Sequence, residues 1–385
     1  MLQNNDESWS GVIGSSTILS LALLGDALLY AVLPVYAQEF GLTLPMVGVM
    51  LSANRFVRVF AYGLIANNIR RFGVKKMCVI AAALATISTT VYGFASEPIL
   101  LLFARILWGV TYGILVLITL SYATEYKSRV GTRVGIGQAI QRIGPIIALV
   151  CGAWLISIVG PKTIFILLGI PTALSILIAL KLPKLDPLVS RSKNKVSFTR
   201  PKAIDLLYFA QGYGVDGVFA ISIVLILVRD VSLNAALMGG SALLAMRHVG
   251  EAIAAPIFGW IADKVGANLV FALSTLATIT GFYFVAVGFT ISGALTMLIF
   301  RGALASLGPA VIAQSTQGSD GPLQLFAKMQ AWRDLGAACG PLITGALLAY
   351  ASPESLHATV GIAMTIMFIF WAKGSLSLAK TNQNL

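Results

Sequence analysis

Apolar runs of about twenty residues recur from one end of this chain to the other. The first reads "TILSLALLGDALLYAVLPVYA", residues 17–37, with Asp26 its single charge. A run of that length with so few charges reads as a membrane-spanning helix. Twelve can be laid down, at 12–37, 44–66, 74–95, 98–121, 134–159 and 162–182, then 203–228, 233–260, 268–289, 292–314, 325–350 and 355–376. Only 11% of the 385 residues are charged, against about 25% in a soluble domain. The chain therefore reads as an all-α polytopic membrane protein. The opening "MLQNNDESWS" has no basic stretch before its apolar run, so the first span is expected to stay as an anchor.

The net charge of +12 raises the question of nucleic acid, but its placement answers it. The positives gather in alternate loops: Arg70, Arg71, Lys75 and Lys76, then Lys127, Arg129 and Arg133, then Lys184, Arg191, Lys193, Lys195, Arg200 and Lys202. The opposite loops hold little beyond Lys162 and Arg229. This is the bias that orients membrane proteins, and it expects both termini in the cytoplasm of a bacterial-type inner membrane and no nucleic-acid partner. The polar stretch 183–202 reads as a linker between a bundle at 1–182 and a bundle at 203–385. Trp9 and Trp371 suit the interfacial aromatic belt. Cys78, Cys151 and Cys339 lie at no metal-ligand spacing and read as small core residues.

Set against itself at an offset of 196, the chain matches. Gly63 falls on Gly259, Asn67 on Asp263, Arg105 on Arg301, and Gly144-Pro145 on Gly340-Pro341. Two related six-helix halves follow, and such repeats place a transporter's substrate site where the halves meet.

These motifs resemble the major facilitator superfamily over nearly the whole chain. Its G-x-x-x-D-R/K-x-G-R/K-R/K loop is approximated by "GWIADKVG" through Gly259, Asp263, Lys264 and Gly266. "GLIANNIRRFGVKK" keeps Gly63 and the basic Arg70 and Arg71, with Asn67 in place of Asp and a stretched spacing. The R-x-x-x-G-x-x-x-G pattern of a fourth helix is matched by Arg105, Gly109 and Gly113. The G-x-x-x-G-P motif of the family's antiporters is matched in part by Gly144-Pro145 and better by Gly336, Gly340 and Pro341. The resemblance implies twelve transmembrane helices in two pseudo-symmetric bundles that rock around a central site. It also implies a proton gradient rather than a bound cofactor as the energy source. The partial antiporter motif points to export of a polar or anionic metabolite or drug. Import of an organic anion, such as a carboxylate-rich siderophore, is the alternative, and a transporter-like sensor is a reading outside transport. The loop motif, through Asp263 near helix ends, is expected to latch the inward-closed state.

Seven arginines stand inside apolar segments: Arg55, Arg58, Arg105, Arg142, Arg247, Arg301 and Arg333. Facing lipid at mid-bilayer, each costs about 2.5–3.5 kcal/mol on insertion scales, and all seven on the order of 20 kcal/mol. That exceeds the about 5–15 kcal/mol of net stability of a folded domain. They are expected to line an internal cavity with Asp26, Asp216, Glu251 and Asp334 as counter-charges. Arg247 and Glu251, four apart, can pair on one helical face. Asn54, Gln138, Gln141 and His248 add polar groups, and Trp108, Tyr112, Tyr213 and Phe219 are candidate apolar walls. Each charge has two uses at this point, structural salt bridge or substrate and proton handling. Asp26 and Glu251 lead as proton carriers, because burial favours the protonated carboxyl and an approaching Arg the ionised one. His248 is a further titratable group. The surplus of guanidinium forks expects a substrate with anionic or oxygen-acceptor groups, carried by a monomer in lipid. No H-E-x-x-H, G-x-S-x-G or P-loop pattern supports an enzyme.

Overall fold

The computed structural model describes residues 8–126, 128–185, 200–315 and 322–383. Twelve long helices run through them: α1 (Ser10–Val35), α2 (Leu44–Phe72), α3 (Val74–Phe94), α4 (Pro98–Ala123), α5 (Val130–Val159), α6 (Thr163–Lys181), α7 (Ala203–Leu227), α8 (Leu233–Val265), α9 (Ala267–Ala286), α10 (Thr290–Ser315), α11 (Pro322–Leu347) and α12 (Pro353–Gln383). In lipid every backbone N–H and C=O must be satisfied within the chain, which is why apolar segments of this length become helices. Ten of the twelve are apolar enough to cross a membrane by length and composition; α8 and α11 fall outside that group. Those two carry Arg247, Glu251, Arg333 and Asp334. Phe60, Leu64, Ile99 and Ile170 stand exposed on the outer surface, as side chains bathed in acyl chains do.

The helices form two pseudo-symmetric six-helix bundles. In the first, α1 packs on α5 and α6, α3 on α4 and α6, and α2 on α4; in the second, α7 packs on α11 and α12, and α10 on α8 and α9. The bundles meet chiefly through α5 against α8 and α2 against α11. Most of the linker expected at 183–202 lies outside the described residues, as do Lys127, Arg191, Lys193 and Lys195.

The span ends differ from expectation where the family's loop motif lies. Residues 63–72 and 259–265 are not loops but the last turns of α2 and α8. Each helix ends at a single glycine in a backbone conformation that side chains resist, Gly73 at φ 86° and Gly266 at φ 102°. From Gly63 to Gly73 is three residues further than from Gly259 to Gly266, so α2 runs almost a turn longer past the shared glycine. Arg133, expected in a loop, is fully buried at the start of α5 and donates to the carbonyls of Ala123, Tyr122 and Ser8. The three cysteines are free; Cys78 is buried, whereas Cys151 faces outward instead of joining the core.

One element has no sequence precedent in the first half. Within α7, residues Gly214–Phe219 form a π-helical segment with Asp216 inside it. The extra residue per turn widens the helix locally, and such bulges cluster at functional sites. Three glycines, Gly212, Gly214 and Gly217, let α7 lie tight against its neighbours here; a Cβ on Gly217 would strike the Gly340 backbone.

Candidate functional site

Between the bundles lies a cavity of about 210 Å³. Its walls come from both halves: Asp26 and Tyr30 on α1, Asn54, Arg55 and Arg58 on α2, Tyr112 on α4, Arg142 and Pro145 on α5. The second half adds Asp216 on α7, Arg247, His248 and Glu251 on α8, Arg301 on α10, and Arg333, Asp334 and Ala337 on α11. Measured from the end that carries the termini, these residues sit near the middle of their helices: Asp26, Tyr30, Asn54 and Arg55 lie beyond it, and Tyr112, Arg142, Glu251 and Arg333 fall less than a turn short of it. Toward the termini the halves close on each other. A Cβ on Gly131 would fall on the Gly259 carbonyl, and one on Gly135 on that of Ala255.

Asp263 fastens that closed end. Its carboxylate accepts the backbone N–H groups of Gly131 at 2.8 Å and Thr132 at 2.7 Å. Both belong to the first turn of α5, whose N–H groups have no partner within the helix and whose dipole favours an anion. Asn67, the counterpart of Asp263, accepts instead from Arg70 one turn along its own helix.

The charges fall into two groups. In the first, Arg105 pairs with Asp26 and donates to the carbonyls of Met50 at 2.9 Å and Leu51 at 3.3 Å. Its side chain is 0% exposed. Arg105 therefore ties α1, α2 and α4 together and does not line the cavity as expected, though Asp26 does. Gln138 and Gln141 are likewise absent from the walls.

The second group is a network. Asp216 accepts from Arg247 at 2.7 Å and from Arg301 at 3.2 Å. Glu251 pairs with Arg301 and lies in ionic contact with Arg142 at 2.5 Å, without hydrogen-bond alignment. Arg58 grips Asp334 with two bonds, 2.7 and 3.1 Å, and Tyr62 adds a third at 2.8 Å. Arg247 and Glu251, expected to pair with each other, each turn to other helices. Two of the pairs, Arg58–Asp334 and Arg142–Glu251, join the bundles, each with its Arg in the first half and its acid in the second.

Arg55 donates to the Ala337 carbonyl at 2.7 Å and forms no ion pair among the described residues. Arg333 has no hydrogen-bonded or ion-paired partner among the described residues, although Asp216 and Asp334 lie within electrostatic reach. Asn54 is buried with its Oδ1 unpartnered, and so is Nδ1 of His248. Of the aromatic wall candidates Tyr112 alone lines the cavity, its ring 4.4 Å from the Arg58 guanidinium. Trp108 and Phe219 are core. Tyr30 and Tyr62 escaped the sequence reading, though each stands four residues from a charge already singled out, Asp26 and Arg58. No group of three or more His, Cys, Asp or Glu placed to hold a metal occurs among the described residues.

The Gly-Pro pairs have a common use. Gly144 abuts the Ser20 carbonyl of α1, and Gly340 abuts Gly217 and Tyr213 of α7. Ser20 and Asp216 are themselves 196 apart, so the same crossing is built twice.

Two related six-helix bundles around one central polar cavity are the architecture of a secondary transporter. A profile of the Major Facilitator Superfamily matches residues 16–246, more than half of the chain, and the protein belongs to that family. Its members work by secondary transport with alternating access. No curated protein matches the sequence. The fold is similar to that of the E. coli fucose:proton symporter FucP, with TM-score 0.74, 15% identity, and 94% of this chain and 97% of that one covered. It is also similar to the human organic anion transporter MFSD10 (TM-score 0.71, 13% identity, 94% and 97% covered). A third similar structure is the proton:xylose symporter XylE (TM-score 0.67, 16% identity, 94% of each).

Proposed function

We propose that this protein moves a small organic anion together with protons across a bacterial-type inner membrane, as a monomer with both termini in the cytoplasm. The supporting observation is the charge count at the cavity. Six arginines line it, Arg55, Arg58, Arg142, Arg247, Arg301 and Arg333, and Asp26 is already matched by Arg105. Asp216, Glu251 and Asp334 are left to answer six guanidiniums. Planar N–H forks of this kind recognise carboxylate and phosphate oxygens.

The same network supports co-transport over exchange. Each of the three acids occupies one or more arginines. A proton on Glu251 or Asp216 removes the negative charge and frees Arg142, Arg247 or Arg301 for an incoming anion. Protons and anions then assist each other's binding, whereas an exchanger needs them to compete. Uptake, the alternative to the export suggested by the Gly-Pro motif, is thus the direction the geometry favours. The Gly-Pro pairs serve helix packing in both halves alike. With the termini inside, Asp263 and the Gly131–Gly259 seam hold the cytoplasmic side shut, which supports access from outside.

The test is uptake of labelled organic anions and cations into proteoliposomes with the outside acidified. Anion accumulation that collapses with the pH gradient is expected, and Glu251→Gln should leave binding but lose the dependence on the gradient. Accumulation of cations alone, or efflux of the anion in exchange for entering protons, would defeat the proposal.

A further inference from the structure

The distribution of unused N–H groups says more about the substrate than its sign. Six lining arginines less three available carboxylates leave an excess of three positive charges. Three guanidiniums also have donors to spare: Arg333 has no partner among the described residues, Arg55 gives one bond to a backbone carbonyl, and Arg247 gives one bond to Asp216. The side chain of Arg247 is 25% exposed, the highest value among the cavity ion pairs. Arg55 belongs to the first bundle, the other two to the second. A single carboxylate, bound by one fork, leaves two of these cations unanswered in the same cavity.

Resting on the anion reading above, we infer that the substrate carries two or more oxyanion groups, held at Arg333, Arg55 and Arg247 so that it bridges the two bundles. Arg333 is the specificity-determining residue, because it alone of the lining arginines makes no hydrogen bond or ion pair among the described residues. The shared chemistry is the bidentate oxyanion, which a polycarboxylate and a phosphate ester both present. A substrate seated on both halves also suits alternating access, since its binding energy is then sensitive to how the halves meet.

Thermal stabilisation of the purified protein in detergent, titrated with acetate, succinate, citrate, phosphate and pyrophosphate at matched ionic strength, tests this. Apparent affinity is expected to rise about ten-fold for each added anionic group, about 1.4 kcal/mol per step. Succinate and citrate leading their series identifies a polycarboxylate, and pyrophosphate leading identifies a phosphorylated compound. Arg333→Gln should flatten whichever series responds, and Arg55→Gln serves if that variant does not fold. Acetate equal to citrate and phosphate equal to pyrophosphate would overturn the multivalent reading while leaving anion binding in place. No shift with any of the five would overturn both.

Discussion

The two halves of the molecule place an arginine at the same point of their repeats and use it in opposite ways. Arg105 is sealed inside the first bundle, with one acid and two carbonyls for partners. Arg301, at the matching place in α10, shares two acids with two other arginines at the cavity wall. The difference traces to where the partner acid stands. Asp26 lies six residues further along α1 than the position matching Asp216, so it meets Arg105 within the bundle. Asp216 rides on the π segment of α7 and reaches toward the interface. One half has become scaffold at this point and the other machinery.

The largest effect expected from that contrast is on stability. Arg105→Met takes the counter-charge from Asp26, a cavity-wall residue 14% exposed, and the two bonds from the Met50 and Leu51 carbonyls, and breaking a pair on its buried side this way costs about 3–5 kcal/mol. Arg301→Met leaves Asp216 with Arg247 and Glu251 with Arg142, so a cost of only about 1–2 kcal/mol is expected. Denaturant unfolding in detergent checks the difference. Transport should behave the other way round, with Arg301→Met folded but inactive. Equal stability losses in the two variants would erase the distinction between scaffold and machinery.

The closed end offers a smaller contrast. Asp263→Ala removes an ionised acceptor from two N–H groups at the start of α5. Hydrogen bonds to charged groups are worth about 1.5–3 kcal/mol, and water admitted at the parted seam recovers part of that. A net shift of about 1–2 kcal/mol toward opening at the termini side is expected. Spin labels at the exposed Arg71 and Asn268, one in each half, should show a longer-distance population. An unchanged distance distribution would mean that the glycine seam alone keeps this end shut.

Much of this was legible in the sequence, and the parts that were not share a cause. Helix number, the twofold repeat and the inward turn of Arg55, Arg58 and Arg142 follow from the cost of charge in hydrocarbon, a property of single residues. Which acid meets which arginine depends on helix rotation and crossing, which spacing within one helix does not reveal. Arg247 and Glu251 stand one turn apart, yet each is drawn to a helix that neither sequence position suggests. The π segment left a trace in the glycine-rich "GYGVDGV", but glycines in a membrane helix equally mark close packing. Arg105 and Arg301 look alike in the repeat because the sequence shows the arginine and not the depth of its partner.

The smallest expected effect concerns Asn67, where the motif's acid is missing. If the missing charge were all that separated the halves, Asn67→Asp would build a second latch on α11. The register argues against it. The positions matching Gly131 and Thr132 are Ala327 and Lys328, and α11 begins at Pro322, so their N–H groups fall in the second turn and are committed to carbonyls within the helix. The extra length of α2 beyond Gly63 further separates Asn67 from the turn at Gly73. Asn67→Asp should therefore change the Arg71–Asn268 distance distribution by less than about 0.5 kcal/mol, as ordinary surface substitutions do. A variant that closes this end more tightly would show that chemistry, and not register, is what the first half lacks.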